Sequence, residues 1–132
     1  MVFLGNKTEL TERAFIYCKN LNHVVLSSEC KKIPAFAFAF CENLKDIWLP
    51  RTISNIGKGA FTGCSDLKIR FTGNIEKLNL SADSFCGAEN ILFFDAKQRK
   101  LKAPDLCKLF KVENIADLDF LSKEHLQEES VQ

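Results

Sequence analysis

Hydrophobic and polar residues alternate over short stretches of the chain, most clearly in the segment LKDIWLP. There, Ile47 and Leu49 alternate with Asp46 and Trp48. Alternation with a period of two predicts a short strand with one buried face, because successive side chains of a strand point to opposite sides. Pro50 ends this strand, since proline has no N–H to donate to a neighbouring strand.

The same pattern returns along the chain at a regular interval. Ala-Phe pairs end at Phe15, Phe38 and Phe61 at equal steps, and Phe85 follows after a step that is one residue longer. A period of about 23 residues predicts a solenoid, in which each unit buries its apolar face against its neighbours. We therefore expect equivalent strands to form one parallel sheet with ~4.8 Å between strands. We expect the four phenylalanines to stack as a column in the core.

The period changes towards both ends of the chain. Phe3 lies one full period before Leu26, which predicts that these two residues occupy one repeat position. Downstream, the pattern is lost after Asp95, as expected where a repeat array meets its cap. The segments 104–110 and 122–127 predict short helices, because the first has proline in its first turn and the second has serine as its N-cap.

These patterns predict two parts of the chain. Residues 1–95 form the repeat array, with about four repeats of which the first is partial. Residues 96–132 form a helical C-terminal cap that continues into an acidic tail. Apolar residues in this second part give it enough surface to pack on the last coil, which a solenoid needs in order to end.

One part of the array resembles a known repeat family. Residues 56–67 read IGKGAFTGCSDL and follow the strand segment LKDIWLP. Together they resemble BspA-type leucine-rich repeats, strongly over 37–67 and less closely over 14–36, 1–13 and 68–94. The resemblance implies a curved leucine-rich-repeat solenoid used for protein recognition, found chiefly in surface and secreted proteins of bacteria and protists. It also implies that there are no catalytic residues to carry over.

Three of the six cysteines occupy one repeat position. Cys18, Cys41 and Cys64 each follow a phenylalanine of the column by three residues. Side chains at one repeat position point the same way, and parallel Cβ vectors are poor geometry for a disulfide. We therefore expect a ladder of buried thiols that act as small hydrophobic groups. Cys86 is interpreted as a misaligned fourth member, and Cys30, in a loop, as the best candidate for an exposed thiol.

Composition and charge argue against several functional classes. The net charge is +1, which recommends neither nucleic acid nor an acidic membrane as a partner. No stretch approaches the ~20 apolar residues of a membrane helix. The N-terminus is too soon polar for a secretory signal, so we expect a cytoplasmic protein, although the family resemblance leaves the cell surface open. Closely spaced metal ligands and phosphate-binding loops are missing from the sequence, so we expect no metal, no cofactor and no enzymatic activity.

The outward positions of the strands form the candidate binding surface. Counted from the strand pattern, Val25, Trp48 and Arg70 stack as one row, with Arg70 over the Trp48 ring. An exposed tryptophan beside an arginine is typical of the residues that dominate the energy of interfaces. The candidate binding residues are His23, Val25, Asp46, Trp48, Lys68 and Arg70, with Leu92 and Phe94 beyond them.

Two functions stay open on the sequence alone. The favoured one is a non-catalytic recognition module that binds a protein partner through this strand surface. The alternative is a structural or vestigial repeat fragment of a larger cell-surface adhesin with no dedicated ligand, in which Trp48 merely covers neighbouring side chains. The first coil begins without a cap, and an open sheet edge predicts self-association through that coil.

Overall fold

A computed structural model of the chain describes residues 10–75, 78 and 80–126, together with the backbone of residues 2–4. The strands in this part of the chain are β1 Val2–Leu4, β2 His23–Leu26, β3 Lys32–Ile33, β4 Asp46–Leu49, β5 Asn55–Ile56, β6 Lys68–Phe71 and β7 Leu92–Phe94. The α-helices are α1 Ala103–Phe110 and α2 Lys123–Leu126, and short 3₁₀ turns cover Ala82–Phe85 and Ile115–Asp117.

Five strands form a parallel sheet in the order β1-β2-β4-β6-β7, and β3 pairs with β5 in a second, smaller sheet. Each strand of the large sheet comes from a different coil of the chain, so the chain winds as a solenoid. Val24 pairs with Ile47, and Ile47 pairs with Ile69. Ile69 pairs in turn with Phe93, across a slightly longer coil. The predicted solenoid of stacked parallel strands is confirmed.

The first strand has a different register from the one predicted. Phe3 pairs with Val25, and Leu4 pairs with Leu26, so the first coil is one residue shorter than expected. The prediction that Phe3 and Leu26 share a repeat position is therefore wrong.

The inward side chains of the strands form the core. Val24, Ile47, Ile69 and Phe93 come one from each of β2, β4, β6 and β7, and all four are fully buried. Within each strand, the residues directly before and after this inward residue are exposed or only partly buried. This alternation is the reason why short strands of mixed polarity stack stably, because each one buries apolar surface against the next.

A column of phenyl rings runs through the core beside the sheet. The ring centres of Phe15 and Phe38 are 5.5 Å apart, those of Phe38 and Phe61 5.7 Å, and those of Phe61 and Phe85 5.4 Å. Neighbouring rings lie within 13° of parallel. The turns that carry them are joined through the backbone, for example from the N–H of Phe38 to the carbonyl of Ala60 at 2.9 Å. Each coil therefore presents its ring in the same orientation as the coil before it.

Each of these turns contains a residue with left-handed backbone geometry. The φ angle is 60° at Tyr17, 59° at Phe40, 78° at Gly63 and 79° at Gly87, which occupy one position of four successive coils. Glycine adopts this geometry without strain, whereas tyrosine and phenylalanine do not. Gly63 is also required for space, since a Cβ atom there would lie 2.5 Å from the ring of Phe40.

The C-terminal segment covers the last coil. Helix α1 has Pro104 in its first turn, where the missing N–H of proline costs no helical hydrogen bond. Phe110 from this helix and Phe120 from the following segment pack on Phe85, with ring centres 5.9 and 4.9 Å away. The predicted helical cap is thus confirmed, while the division of the chain at residue 95 stays a prediction.

Candidate functional site

The outward side chains of the large sheet fall into two rows, which together we call the strand face. In the first row, Val25 pairs with Trp48, Trp48 with Arg70, and Arg70 with Phe94. The second row consists of His23, Asp46, Lys68 and Leu92. The structure therefore places all six candidate binding residues on one surface, which Leu92 and Phe94 extend towards the C-terminal cap.

Arg70 lies in the middle of the first row, between two aromatic rings. Its guanidinium carbon is 5.2 Å from the centre of the Trp48 ring and 4.8 Å from the centre of the Phe94 ring. Each contact of this kind is worth about 0.5–1 kcal/mol at an accessible site. Since Arg70 belongs to β6 and the rings belong to the strands on either side, the three side chains form one continuous layer across three strands.

Hydrogen bonds fix the guanidinium further. Its Nε donates to Oδ1 of Asp46 at 2.8 Å, and its Nη1 donates to Oε1 of Gln98 at 3.1 Å. The side-chain amide of Gln98 in turn donates to the backbone carbonyls of Phe71 and Asp95. Arg70 is thus held both by its own sheet and by the turn that follows the sheet, and its side chain is 18% accessible.

Asp46 links this arginine to a histidine at the edge of the strand face. Its Oδ2 lies 3.5 Å from Nδ1 of His23, whose side chain is 49% accessible. The carboxylate itself is 15% accessible. Asp46 therefore balances the charge of Arg70 within the surface. Lys68, which pairs with Asp46 across the sheet, is exposed and adds positive charge to the second row.

A shallow depression of about 360 Å³ lies beside Trp48, near the ends of β2 and β4. Arg51 is the charged residue of its lining and is exposed. Gly73 lets this arginine lie close to the chain, because a Cβ atom at Gly73 would be 2.1 Å from Cβ of Arg51. The lining consists of Val25, Leu26, Ser28, Trp48, Leu49, Pro50, Arg51 and Thr72.

The thiols of the predicted ladder lie in the turns that carry the phenyl column. Sγ of Cys41 donates to the carbonyl of Phe15 at 3.1 Å, and Sγ of Cys64 donates to that of Phe38 at 3.3 Å. Burial raises the pKa of Cys41 to about 11 and that of Cys64 to about 12. Both stay protonated at neutral pH and are poor nucleophiles. Cys18, in the first coil, is partly accessible.

Two other cysteines do not lie where the sequence predicted. Cys86 is exposed, and Ala88 takes the buried position that corresponds to Cys64. The interpretation of Cys86 as a ladder member is therefore wrong, because Ala88 follows Phe85 by the same three residues that separate Cys64 from Phe61. The expectation of an exposed thiol at Cys30 is also wrong, since the residue is 9% accessible although Glu29 and Lys31 on either side of it are exposed.

A buried histidine in the cap does not follow from the repeat pattern. His125 is 4% accessible, its Nδ1 lies 2.9 Å from the carbonyl oxygen of Leu101, and its Nε2 accepts from the N–H of Phe93 at 3.0 Å. Because a carbonyl oxygen needs a donor, Nδ1 carries the proton and the ring is neutral. Burial lowers the pKa of His125. The ring thereby joins α2 to the last strand.

Four charged side chains of the C-terminal segment form two ion pairs. Nζ of Lys100 lies 2.7 Å from Oε1 of Glu124, and Arg99 pairs with Asp95 at 3.4 Å. Among the described residues, no group of three or more histidine, cysteine or acidic side chains has the arrangement of a metal site. The helices in the described part of the chain are also too short or too polar to cross a membrane.

The geometry above defines a repeat protein of the parallel β-solenoid class with an ordered outward strand face. The family described as "BspA type Leucine rich repeat region" matches residues 2–103 with 6 copies. The chain therefore belongs to the BspA-type leucine-rich-repeat family, and the resemblance found in the sequence is confirmed. Repeat proteins of this type are often involved in protein interaction and are typically not enzymes. No curated protein and no solved structure matches this chain.

Proposed function

We propose that this chain is a non-catalytic recognition module that binds a protein partner through its strand face, with Trp48 at the centre of the contact. The observation that supports this proposal is the ordered layer of Trp48, Arg70 and Phe94 on the outward side of the sheet. Tryptophan and arginine are enriched among the residues that carry most of the energy of protein interfaces. A row of such side chains that faces away from the core therefore supports a role in binding.

The shape of the strand face also favours a protein over a small molecule. Each row crosses four adjacent strands, so it spans roughly 14 Å at the usual strand spacing. The depression beside Trp48 is shallow and open, whereas small-molecule sites enclose most of their ligand. Apolar and charged side chains mixed on a broad surface are typical of protein interfaces.

Tyr17 provides a matched control for an experiment on Trp48. It is an aromatic residue that is 62% exposed, and it lies on the turns rather than on the sheet. Wild-type protein and the variants Trp48→Ala and Tyr17→Ala are immobilised, and the proteins captured from a cell extract are quantified by mass spectrometry. For a recovered partner, we expect Trp48→Ala to weaken binding by at least about 30-fold, the effect of a hot-spot residue. We expect Tyr17→Ala to bind as the wild type does.

Three outcomes contradict this proposal. If Trp48→Ala captures the partner as well as the wild type does, the partner uses another surface. Loss of folding in Trp48→Ala, measured by circular dichroism, shows that the residue belongs to the core. Recovery of no specific protein by the wild type favours the alternative, a structural repeat array with no dedicated ligand. Self-association through the first coil stays a prediction, and sedimentation velocity on the same sample measures it.

A further inference from the structure

We propose that Arg70 is a positioning residue of the strand face. It holds Trp48 in one orientation, and the partner is anchored by an apolar side chain on Trp48 rather than by a carboxylate on Arg70. This inference rests on the proposed recognition function and specifies the chemistry that the partner brings to it. It also extends the surface beyond the predicted residues, to Gln98.

The guanidinium of Arg70 is already committed within the protein. A carboxylate binds arginine most strongly in bidentate geometry, which needs two neighbouring nitrogen atoms. Of the pair Nε and Nη2, Nε donates to Asp46. Of the pair Nη1 and Nη2, Nη1 donates to Gln98. Two of the five N–H groups of Arg70 are thus used within the protein. Its charge is already balanced by Asp46 at 2.8 Å, so a partner carboxylate gains less from Arg70 than from an arginine without an ion-pair partner.

The clamp on Arg70 includes a turn outside the strands. Gln98 has left-handed backbone geometry, with φ of 61°, and its Nε2 is fixed by the carbonyls of Phe71 and Asp95 at 3.1 and 3.0 Å. The turn itself is closed by the Asp95 carboxylate, whose Oδ1 accepts from the backbone N–H of Arg99 at 2.9 Å. Because Nε2 is fixed in this way, Oε1 of Gln98 is directed at Arg70.

A fixed guanidinium restrains the ring that lies against it. Trp48 contacts Arg70 on the side of β6, and Phe94 contacts the same cation from β7. A ring that is held before binding loses less conformational freedom when a partner covers it. The layer of Trp48, Arg70 and Phe94 therefore acts as a rigid support for the accessible part of Trp48.

The surroundings of the partly buried Trp48 ring include apolar side chains. Val25 and Pro50 line the depression beside the ring, and Arg51 provides a positive charge in the lining. Charge complementarity at the centre of the surface is satisfied internally by Asp46 and Arg70. The partner therefore buries an apolar side chain at Trp48, and any acidic groups it carries meet exposed cations such as Arg51, where water weakens ion pairs.

The single tryptophan of the chain makes the first part of this inference measurable without a partner. We compare the fluorescence anisotropy and acrylamide quenching of Trp48 in the wild type, Arg70→Met and Gln98→Ala. Lys68→Met is the matched control, because Lys68 is an exposed residue of the same strand on the same face. We expect about a twofold increase in the quenching constant for Arg70→Met, the population change that loss of a weak cation–π contact gives. Gln98→Ala shows a smaller increase, and Lys68→Met shows none.

Unchanged quenching in Arg70→Met overturns the positioning role, whatever the protein binds. Equal increases in Arg70→Met and Lys68→Met also overturn it, because they would reflect a general change of the surface. Circular dichroism spectra that match the wild type establish that each variant is folded. If Arg70→Met fails to fold, Gln98→Ala still tests the positioning role. This substitution removes one hydrogen bond to the guanidinium and leaves the aromatic contacts in place.

A random-peptide phage library tests the chemistry of the partner. Clones are selected on the wild-type protein, and the enriched clones are then assayed for binding to Trp48→Ala and to Arg70→Met. We expect the enriched sequences to share a leucine, isoleucine or aromatic residue, and we expect their binding to weaken severalfold in Arg70→Met. Enrichment of acidic sequences that tolerate Trp48→Ala but are lost in Arg70→Met overturns the apolar anchor. A library with no Trp48-dependent sequence also overturns it, while the fluorescence result on the free protein stands independently.

Discussion

Phenylalanines pack in two different ways at the two ends of the same core. In the array, Phe15, Phe38 and Phe61 stack with interplanar angles of 6° and 5°. In the cap, Phe110 meets both Phe85 and Phe93 edge to face, at 74° and 75°. Phe85 belongs to both regions, since it also stacks on Phe61 at 13°.

The difference shows what repetition does to packing. Isolated aromatic pairs prefer offset-stacked or edge-to-face contacts, and the cap, whose rings come from unrelated segments, uses mainly the latter. In the array, each ring is carried by the same turn in the same backbone geometry, so its orientation follows from the coil before it. The array therefore propagates one contact, whereas the cap ends the stack by enclosing its last ring on several sides.

Removing the Phe85 ring, which joins the two regions, has the largest expected effect on stability. Phe85→Ala loses stacking on Phe61 and the contacts with Phe93, Phe110 and Phe120. We expect it to lower the free energy of unfolding by about 3–5 kcal/mol, as large cavities in a core do. Phe15→Ala, at the partly accessible end of the stack, is expected to lower it by about half as much. Urea unfolding followed by circular dichroism measures both, and equal losses would contradict the special place of Phe85.

Two glycines of the array separate backbone strain from steric overlap. Gly63 and Gly87 have the same left-handed geometry, but an added Cβ meets the Phe40 ring at 2.5 Å in one case and ordinary contacts at 3.8 Å or more in the other. We expect Gly87→Ala to cost about 1 kcal/mol of stability from strain alone. Gly63→Ala should cost about 2–4 kcal/mol, since overlap adds to strain. Urea unfolding measures both losses of stability. Equal losses for Gly63→Ala and Gly87→Ala would show that Phe40 does not lie over Gly63.

The cap is expected to respond to pH through its buried histidine. His125 is neutral when folded and its pKa is lowered by burial from the ordinary value of 6.5. Below pH 6.5, this histidine binds a proton in the unfolded chain but stays neutral in the folded chain. The stability that it contributes is therefore fully present above this pH and falls as the pH decreases towards the folded pKa. Lys100 and Glu124 are the charged neighbours that modulate this titration.

We expect the free energy of unfolding to fall by about 1 kcal/mol between pH 7.5 and pH 5.5 because of this histidine. The matched variant is His125→Gln, whose amide also donates and accepts but does not titrate in this range. Urea unfolding at both pH values measures the difference. A wild type and variant with the same pH dependence would show that His125 is not the titrating group.

The smallest effect concerns thiol reactivity and leaves the fold intact. At pH 8, iodoacetamide should modify the exposed Cys86 first and the buried Cys41 and Cys64 last. The reason is that the thiolate is the reactive form, and burial raises the pKa of the two ladder thiols. Peptide mass spectrometry over a time course gives the order. Early labelling of Cys64 in folded protein would contradict its place in the core.

Regular parts of the array follow from the sequence, whereas places where the period changes do not. The stacking of Phe38 on Phe61 follows from the spacing, because equal spacing puts equivalent residues over one another. The pairing of Trp48 with Arg70, which are 22 residues apart, follows instead from the alternation within each strand. The register of the first strand does not follow, since a shorter coil can lose its residue at several places. The wrong interpretation of Cys86 has a different cause, because it followed the residue type, whereas the repeat position three residues after Phe85 holds Ala88.

The candidate site also has residues whose positions follow from the sequence and contacts that do not. The outward residues of β2, β4 and β6 follow from the alternation of the strands and the repeat. The contacts of Arg70 with Gln98 and of His125 with Phe93 join positions 28 and 32 residues apart, and each involves the non-repeating cap. No period relates these residues, so only the packing of the cap on the last coil brings them together.

The account depends most directly on coil-to-coil stacking of the phenyl rings, which solution NMR measures. In protein with selectively labelled phenylalanine, nuclear Overhauser contacts are expected between the rings of Phe15 and Phe38, of Phe38 and Phe61, and of Phe61 and Phe85. Rings two coils apart should show none. Missing contacts between neighbouring coils, or contacts that skip a coil, would contradict the stacked solenoid and with it the strand face built on the same register.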